Sequence, residues 1–127
     1  TSYPLVSIYA EQENNKGEIA VSEIMRSAII QQLASYGIGV DESGSSRYKI
    51  SCRVKSREGG LAQNFQIVYT DITLEASIDI GNIVFSDRIE SVKGVHKDIE
   101  SATLLSLEKC AERIDENLLK PLLDAMF

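Results

Sequence analysis

From Ile72 to Ile80 the even positions (Ile72, Leu74, Ala76, Ile78, Ile80) are apolar and the odd ones (Thr73, Glu75, Ser77, Asp79) are polar or charged. This is the alternation of a strand with one buried and one wet face. Gly81 and Asn82 follow, two residues that tolerate positive φ, and the apolar run resumes at Ile83-Val84-Phe85 and continues to Ile89. The pattern predicts a β-hairpin turning at Gly81-Asn82, with the last strand ending at about Lys93. The segment Arg47–Lys55 alternates in the same way: Tyr48, Ile50, Cys52 and Val54 against Arg47, Lys49, Ser51, Arg53 and Lys55. After it, Ser56–Gly60 reads as a turn or a longer hairpin loop. The strand from Phe65 to Ile80 begins with its apolar set on odd positions (Phe65, Ile67, Tyr69) and continues on even ones from Ile72. A phase change of one residue predicts a β-bulge near Thr70-Asp71.

Elsewhere the period is helical. Between Glu18 and Tyr36, the residues Val21, Ile24, Met25, Ala28, Ile29, Leu33 and Tyr36 recur at steps of three and four, with Gly37 placed to cap the C-terminus. Met25 in that stripe reads as core rather than as a ligand. A second helix starts at an N-cap, Asp98 or Ser101, and runs to about Leu119 with the seam Leu104, Leu107, Ala111, Ile114, Leu118. Pro121 lacks the N–H that a helix interior needs, so a kink and a short restart from Pro121 to Met126 are expected. Pro4–Ala10 is a short strand, and Glu11–Gly17, with Asn14-Asn15, is a loop. Asp41–Ser46 is also a loop, and it carries too little glycine and no following Lys-Ser/Thr to cradle a phosphate.

The order is strand, helix, three strands, helix. The arrangement that buries every apolar face is an α+β two-layer sandwich: a four-stranded mixed sheet, mainly an antiparallel meander, covered on one face by two helices. The first strand has no identifiable neighbour, and parallel pairing through the first helix is the expectation. With 127 residues, the chain reads as one domain, 1–127.

Composition adds mostly exclusions. The net charge of −6, with no broad basic footprint, argues against nucleic acid as the main partner. No apolar run is long enough for a membrane-spanning helix. The chain begins at Thr1 rather than Met, so a signal segment or lipid anchor upstream is left open. Cys52 and Cys110 read as two buried free thiols, with a single Cys52–Cys110 disulfide as the alternative, which requires an oxidising compartment. His96 is the only histidine, and no recognisable set of nucleophile and orienting carboxylate, and no ligand spacing, accompanies it. The reading is therefore no catalytic residue, no cofactor and no metal.

Two charged sets answer one another. The outward side of the second strand is basic (Arg47, Lys49, Arg53, Lys55) and that of the long strand is acidic (Asp71, Glu75, Asp79). Antiparallel pairing of these strands would set the charges opposite each other. The plain reading is a solvated sheet face. The functional one is a docking face for another protein.

Three segments carry a family resemblance. One is the apolar first strand, the helix ending Leu33-Ala-Ser-Tyr-Gly37 and Ile38-Gly-Val40 with its polar loop. Another is the hairpin Tyr69–Ser86, and the third is Lys93-Gly94 followed by Ser101-Ala102, Leu107–Ala111 and Ile114. Together they resemble a bacterial envelope domain found in small outer-membrane lipoproteins, flagellar basal-body assembly proteins, curli-secretion lipoproteins and the N-terminal domain of TolB. The lipopolysaccharide-transport lipoprotein LptE shares the element order. The chain departs from the pattern at Cys110, where a small residue is usual, and in lacking a lipidated N-terminal cysteine.

The resemblance implies a periplasmic or outer-membrane location at the inner leaflet. It also implies a role without catalysis, in which contacts with other envelope proteins assist assembly of an envelope machine. Membrane association would come only through a lost N-terminal anchor. The alternative is an LptE-like lipoprotein that binds or transports lipid or lipopolysaccharide. Partner identity, oligomeric state and docking surface are not readable from the sequence.

Overall fold

The computed structural model describes residues 5–13, 16–79 and 81–127. The strands are β1 (Val6–Glu13), β2 (Ile19–Val21), β3 (Tyr48–Ala62), β4 (Phe65–Ile78) and β5 (Ile83–His96). The helices are α1 (Glu23–Ser35), α2 (Ile99–Ile114) and α3 (Lys120–Met126), with a π-helical turn at Asp115–Leu119. The strands form one sheet in the order β2-β1-β3-β4-β5. β1 runs parallel to β3, from Val6↔Tyr48 to Glu13↔Lys55; the parallel pairing through the α1 crossover is as expected, and β3 is the neighbour that the sequence left unidentified. β3–β4 and β4–β5 are antiparallel, which is the expected meander.

The α+β sandwich stands, but with five strands and three α-helices among the described residues, not four and two. The extra strand is β2, which the sequence reading had placed in the first helix. Ile19 and Val21 are β-branched and suit a strand, and the segment pairs antiparallel with Glu11–Glu13, themselves assigned to a loop. Ser22 then takes an extended N-cap conformation (φ −92°, ψ 95°) and the helix begins at Glu23. Met25, Ile29 and Leu33 are the buried stripe of α1, whereas Val21 is exposed. Pro4, Asn14-Asn15 and Ile80, used in the sequence reading, lie outside the described residues.

β4 keeps one phase throughout: Val68, Thr70, Ile72, Leu74 and Ala76 are all buried. The expected irregularity exists, but the extra residue lies on β5. Thr70 pairs with Val92 and Ile72 with Ile89, so Glu90 and Ser91 together oppose Asp71, with Ser91 at φ 57°. Phe65, Ile67 and Tyr69 are thus apolar residues on the outer face, which mimicked a phase change.

The hairpin after β3 also differs from expectation. Ser56–Gly60 is strand, and the turn falls at Gln63-Asn64 (φ 51° and 71°). Gly59 is bulged out of register between the pairs Glu58↔Val68 and Gly60↔Ile67. A Cβ there would lie 2.5 Å from Cε2 of Tyr69, whose ring occupies the space. Between β4 and β5 the Ile78 N–H donates to the Asn82 carbonyl at 3.0 Å, with Asp79 at φ 62° and Gly81 at φ 79°.

Asp98 is the N-cap of α2, accepting the Ser101 N–H at 2.7 Å. Ahead of Pro121 the helix widens into the π-helical turn, as a missing N–H inside a helix predicts. The buried stripe of α2 is Ala102, Ser106, Leu107, Cys110 and Ile114; Leu104, assigned to the seam, is 46% exposed. Ser106 takes its place because α2 approaches β5 closely. A Cβ on Gly94 would sit 2.2 Å from the Ala102 carbonyl and 2.7 Å from the Ser106 nitrogen. A buried hydroxyl chain seals the contact, with Ser56 Oγ 2.9 Å from Thr70 Oγ1 and Thr70 Oγ1 2.6 Å from Ser106 Oγ. The core between sheet and helices is filled by side chains such as Ile50, Leu74, Met25, Ile29, Ile114, Leu118 and Leu122.

Candidate docking surfaces

The sheet face turned away from the helices carries the charged residues. Its cross-strand rows follow from the register: Glu13–Lys55–Asp71, Glu11–Arg53–Thr73–Arg88, Tyr9–Ser51–Glu75–Ser86 and Ser7–Lys49–Ser77. Arg53, Lys55, Asp71, Thr73, Arg88 and Glu90 line part of a shallow concavity of about 530 Å³ on this face, which reaches Glu11, Glu13 and Ile19. At the β1 end the 41–46 loop crosses the face, held by the Tyr9 hydroxyl donating to the Gly44 carbonyl at 3.2 Å and by Arg26–Glu42 at 2.6 Å.

All seven charged residues singled out from the sequence lie on this side or at its rim, but they pair less regularly than two facing rows. Arg47 grips Asp79 with two hydrogen bonds, at 3.1 and 2.9 Å, where β3 and β4 begin and end. Lys55 is directly opposite Asp71, yet its ammonium lies 3.6 Å from Glu13 on β1. Asp71 instead takes Arg57. Arg53, Lys49 and Glu75 face Thr73, Ser77 and Ser51 on their β3–β4 partners, so they make no directly opposed acid–base pair there. The residues that complete the face, Glu11, Glu13, Arg57, Arg88 and Glu90, were missed. Three of them fell in segments assigned to loop or turn. The signal for Arg88 and Glu90 was their alternation with Ile89, which the bulge then interrupts.

Asp71 is the most constrained of these carboxylates. Its Oδ1 accepts the N–H of the bulged Ser91 at 2.8 Å and its Oδ2 accepts Arg57 Nη1, while Arg57 Nη2 donates to Ser91 Oγ at 2.6 Å. Partial burial pushes its pKa up, but the Arg57 and Ser91 hydrogen bonds and the nearby guanidinium charges outweigh this and hold it below the usual carboxylate value. Asp71 thus acts as the clip that closes the β5 bulge.

Cys52 and Cys110 are free thiols, both fully buried, one at the centre of β3 and the other on the inner stripe of α2. Burial pushes Cys52 up to about 12, with Cys110 adding to it, and burial likewise pushes Cys110 up to about 11. His96 is exposed at the end of β5, with Nδ1 3.9 Å from the Asp98 carboxylate. Among the described residues, no group of three or more His, Cys, Asp and Glu side chains could hold a metal ion, and no helix is long and apolar enough to cross a membrane.

A second surface was not anticipated. Every residue from Arg57 to Phe65 is exposed, including Leu61 at 68% and Phe65 at 41%. This is the outer half of the β3–β4 hairpin.

No family model matches the sequence, and no curated protein matches it. Solved structures do match. A minor lipoprotein from Acinetobacter baumannii aligns over 95% of this chain and 95% of its own, at a TM-score of 0.62 and 10% identity. A putative neuraminyllactose-binding hemagglutinin homolog from Helicobacter pylori aligns over 96% of this chain and 83% of its own, at 0.58 and 17% identity. The rare lipoprotein B from Shewanella oneidensis aligns over 95% and 99%, at 0.54 and 9% identity. At these identities the likeness is one of fold, and by it the chain carries, over nearly its whole described length, the α+β sandwich seen in small bacterial lipoproteins.

Proposed function

We propose that this chain is a bacterial cell-envelope module, lipoprotein-like, that works without catalysis by contacting other envelope proteins. The observation that carries the reading is the fold match to two bacterial lipoproteins, each aligned over nearly its full length as well as 95% of this chain. The charged outer face supports the contact role, because it presents acidic and basic side chains on adjacent strands at fixed register. Such a pattern favours partner choice and orientation more than raw affinity. The side chains that fill the core between helices and sheet support the contact role over a lipid pocket at that place. A lipid-carrying role would fall instead to the groove of about 630 Å³ between the end of α1 and α3, where Ile38, Leu123 and Phe127 are joined by Lys120 and Asp124.

The test is expression of the complete gene in its native host with radiolabelled palmitate, followed by fractionation. A labelled product in the envelope fraction is expected. An unlabelled cytosolic product overturns the reading. Native mass spectrometry of the purified protein with added phospholipid separates the two roles, since the contact role predicts no retained lipid.

A further inference from the structure

An open sheet ends in two edges, and an edge offers backbone N–H and C=O groups to any strand that arrives. On one side β2 is only three residues long. Where it stops, neighbouring segments take the β1 groups. The Val6 N–H donates to the Gly39 carbonyl at 3.1 Å, the Asp41 N–H to the Val6 carbonyl at 2.9 Å and the Ser22 N–H to the Ala10 carbonyl at 3.0 Å. The other edge is β5, which is 14 residues long.

Two irregularities divide β5. Ala76 pairs with Phe85 and Ser77 with Ile83, so Val84 is out of register. Thr70 pairs with Val92 and Ile72 with Ile89, with the Glu90-Ser91 bulge between. Beyond that bulge, Val92 and Gly94 are buried and the Lys93 carbonyl accepts Lys109 Nζ from α2 at 3.0 Å. The regular run left at the edge is Phe85–Ile89, paired with Ala76–Ile72.

Asp87 stands at the centre of this run. It pairs with the fully buried Leu74, so it lies on the helix-side face, between Phe85 and Ile89, which pack against the core. The alternation calls for an apolar residue there, and aspartate is depleted in strands. Its Oδ1 also accepts the Arg88 N–H at 2.8 Å, so that donor is taken. Inward-pointing charges and bulges are ways in which an edge strand is kept from pairing.

The position of the charge selects the strand that it excludes. Two identical strands pair antiparallel about a two-fold axis. An axis at the centre of the run sets Phe85 of one copy opposite Ile89 of the other, an apolar match, and sets the two Asp87 carboxylates against each other. Like charges directly opposite are destabilising.

We propose that Asp87 is a guard that keeps the β5 edge from pairing with the same edge of a second copy of this chain. The proposal does not depend on the contact role proposed above.

Sedimentation velocity of the purified wild type, Asp87→Val, Asp87→Thr and Asp87→Lys over a range of concentrations tests it. Asp87 is exposed, so the variants should keep the wild-type circular dichroism. Wild type and Asp87→Lys are expected at the same mass, and Asp87→Val at twice that mass as concentration rises. Asp87→Thr, also uncharged and a good strand former, decides the matter where Asp87→Val does not fold. Hydrogen exchange of the doubled species should be several-fold slower at the amides of residues 85–89 than in wild type. Folded Asp87→Val and Asp87→Thr that both keep the wild-type mass overturn the guard. So do an Asp87→Lys of doubled mass, a doubled species whose slowed amides lie outside 85–89, and a wild type already paired through that run.

Discussion

Asp71 shows how one side chain decides a local shape. The extra residue in β5 leaves a backbone N–H at Ser91 that no strand partner meets, and the Asp71 carboxylate takes it. Because hydrogen bonds to the charged form hold the Asp71 pKa down, its contribution to stability is present above the unfolded value of about 3.9 and is lost as pH falls through the folded value. Asp71→Asn should therefore lower the unfolding free energy at pH 7 by about 1–2 kcal/mol, and the deficit should shrink below about pH 4. Urea titrations of both proteins across that range measure it. Gly94 is the other single-residue determinant. Gly94→Ala forces a methyl into the backbone of α2 and should cost about 1–3 kcal/mol, read as a lower urea midpoint at unchanged slope. Neither role is visible in the sequence. Asp71 looked like one of three equivalent outward acids, and Gly94 like a link leaving the last strand.

Among the elements, α2 shows best what patterning can and cannot reveal. Its N-cap, extent and break before Pro121 are local effects, set by the Asp98 side chain and by the missing proline N–H. Which of its faces is buried is not local. The chain of Ser56, Thr70 and Ser106 hydroxyls draws a serine into the contact and leaves Leu104 exposed. Thr70→Val removes the middle member and leaves the buried Ser56 hydroxyl without its partner, while Ser106 keeps its bond to the Thr103 carbonyl, so it should cost about 1–3 kcal/mol. The triple variant Ser56→Ala/Thr70→Val/Ser106→Ala should recover part of that, because nothing polar is then left unpaired. Thermal unfolding of the two variants compares them.

The thiols belong to the same interface between α2 and the sheet. With both pKa values raised by burial, thiol reagents should label Cys52 and Cys110 in urea far faster than in the native protein at pH 8. Stability linked to them should be full below about pH 8.5 and fall as pH rises toward 11 to 12. Non-reducing intact mass of protein from an oxidising compartment should show both thiols free.

For the whole molecule, the charged face and the projecting hairpin divide the surface into two regions of different chemistry. Exposed ion pairs contribute little, about 0–1 kcal/mol each, so Arg53→Glu/Lys55→Glu should leave the unfolding midpoint nearly unchanged. If the charged face docks a partner, the same variant should slow association and weaken its salt dependence, measured by surface plasmon resonance against that partner. A stability loss well beyond ion-pair scale would instead make the face part of the scaffold.

The sequence by itself determined the sandwich: the meander, the two main helices and the buried faces of Tyr48–Val54 and Ile72–Ile78, while the neighbour of β1 was left to the tertiary structure. These follow from periodicity and caps, which act over a few residues. It misplaced β2 because Ile19-Ala20-Val21 is too short to show a period, and its strand state depends on pairing with β1. It misread Phe65, Ile67 and Tyr69 as a change of phase because they are apolar residues on the outer face, and which face the helices cover is decided by tertiary packing rather than by the strand itself. The length of the β3–β4 hairpin, likewise a tertiary fact, leaves Leu61 and Phe65 exposed near its turn. The charges could be assigned to a face from alternation alone. Who pairs with whom was decided by β1 and β5 arriving on either side of β3 and β4.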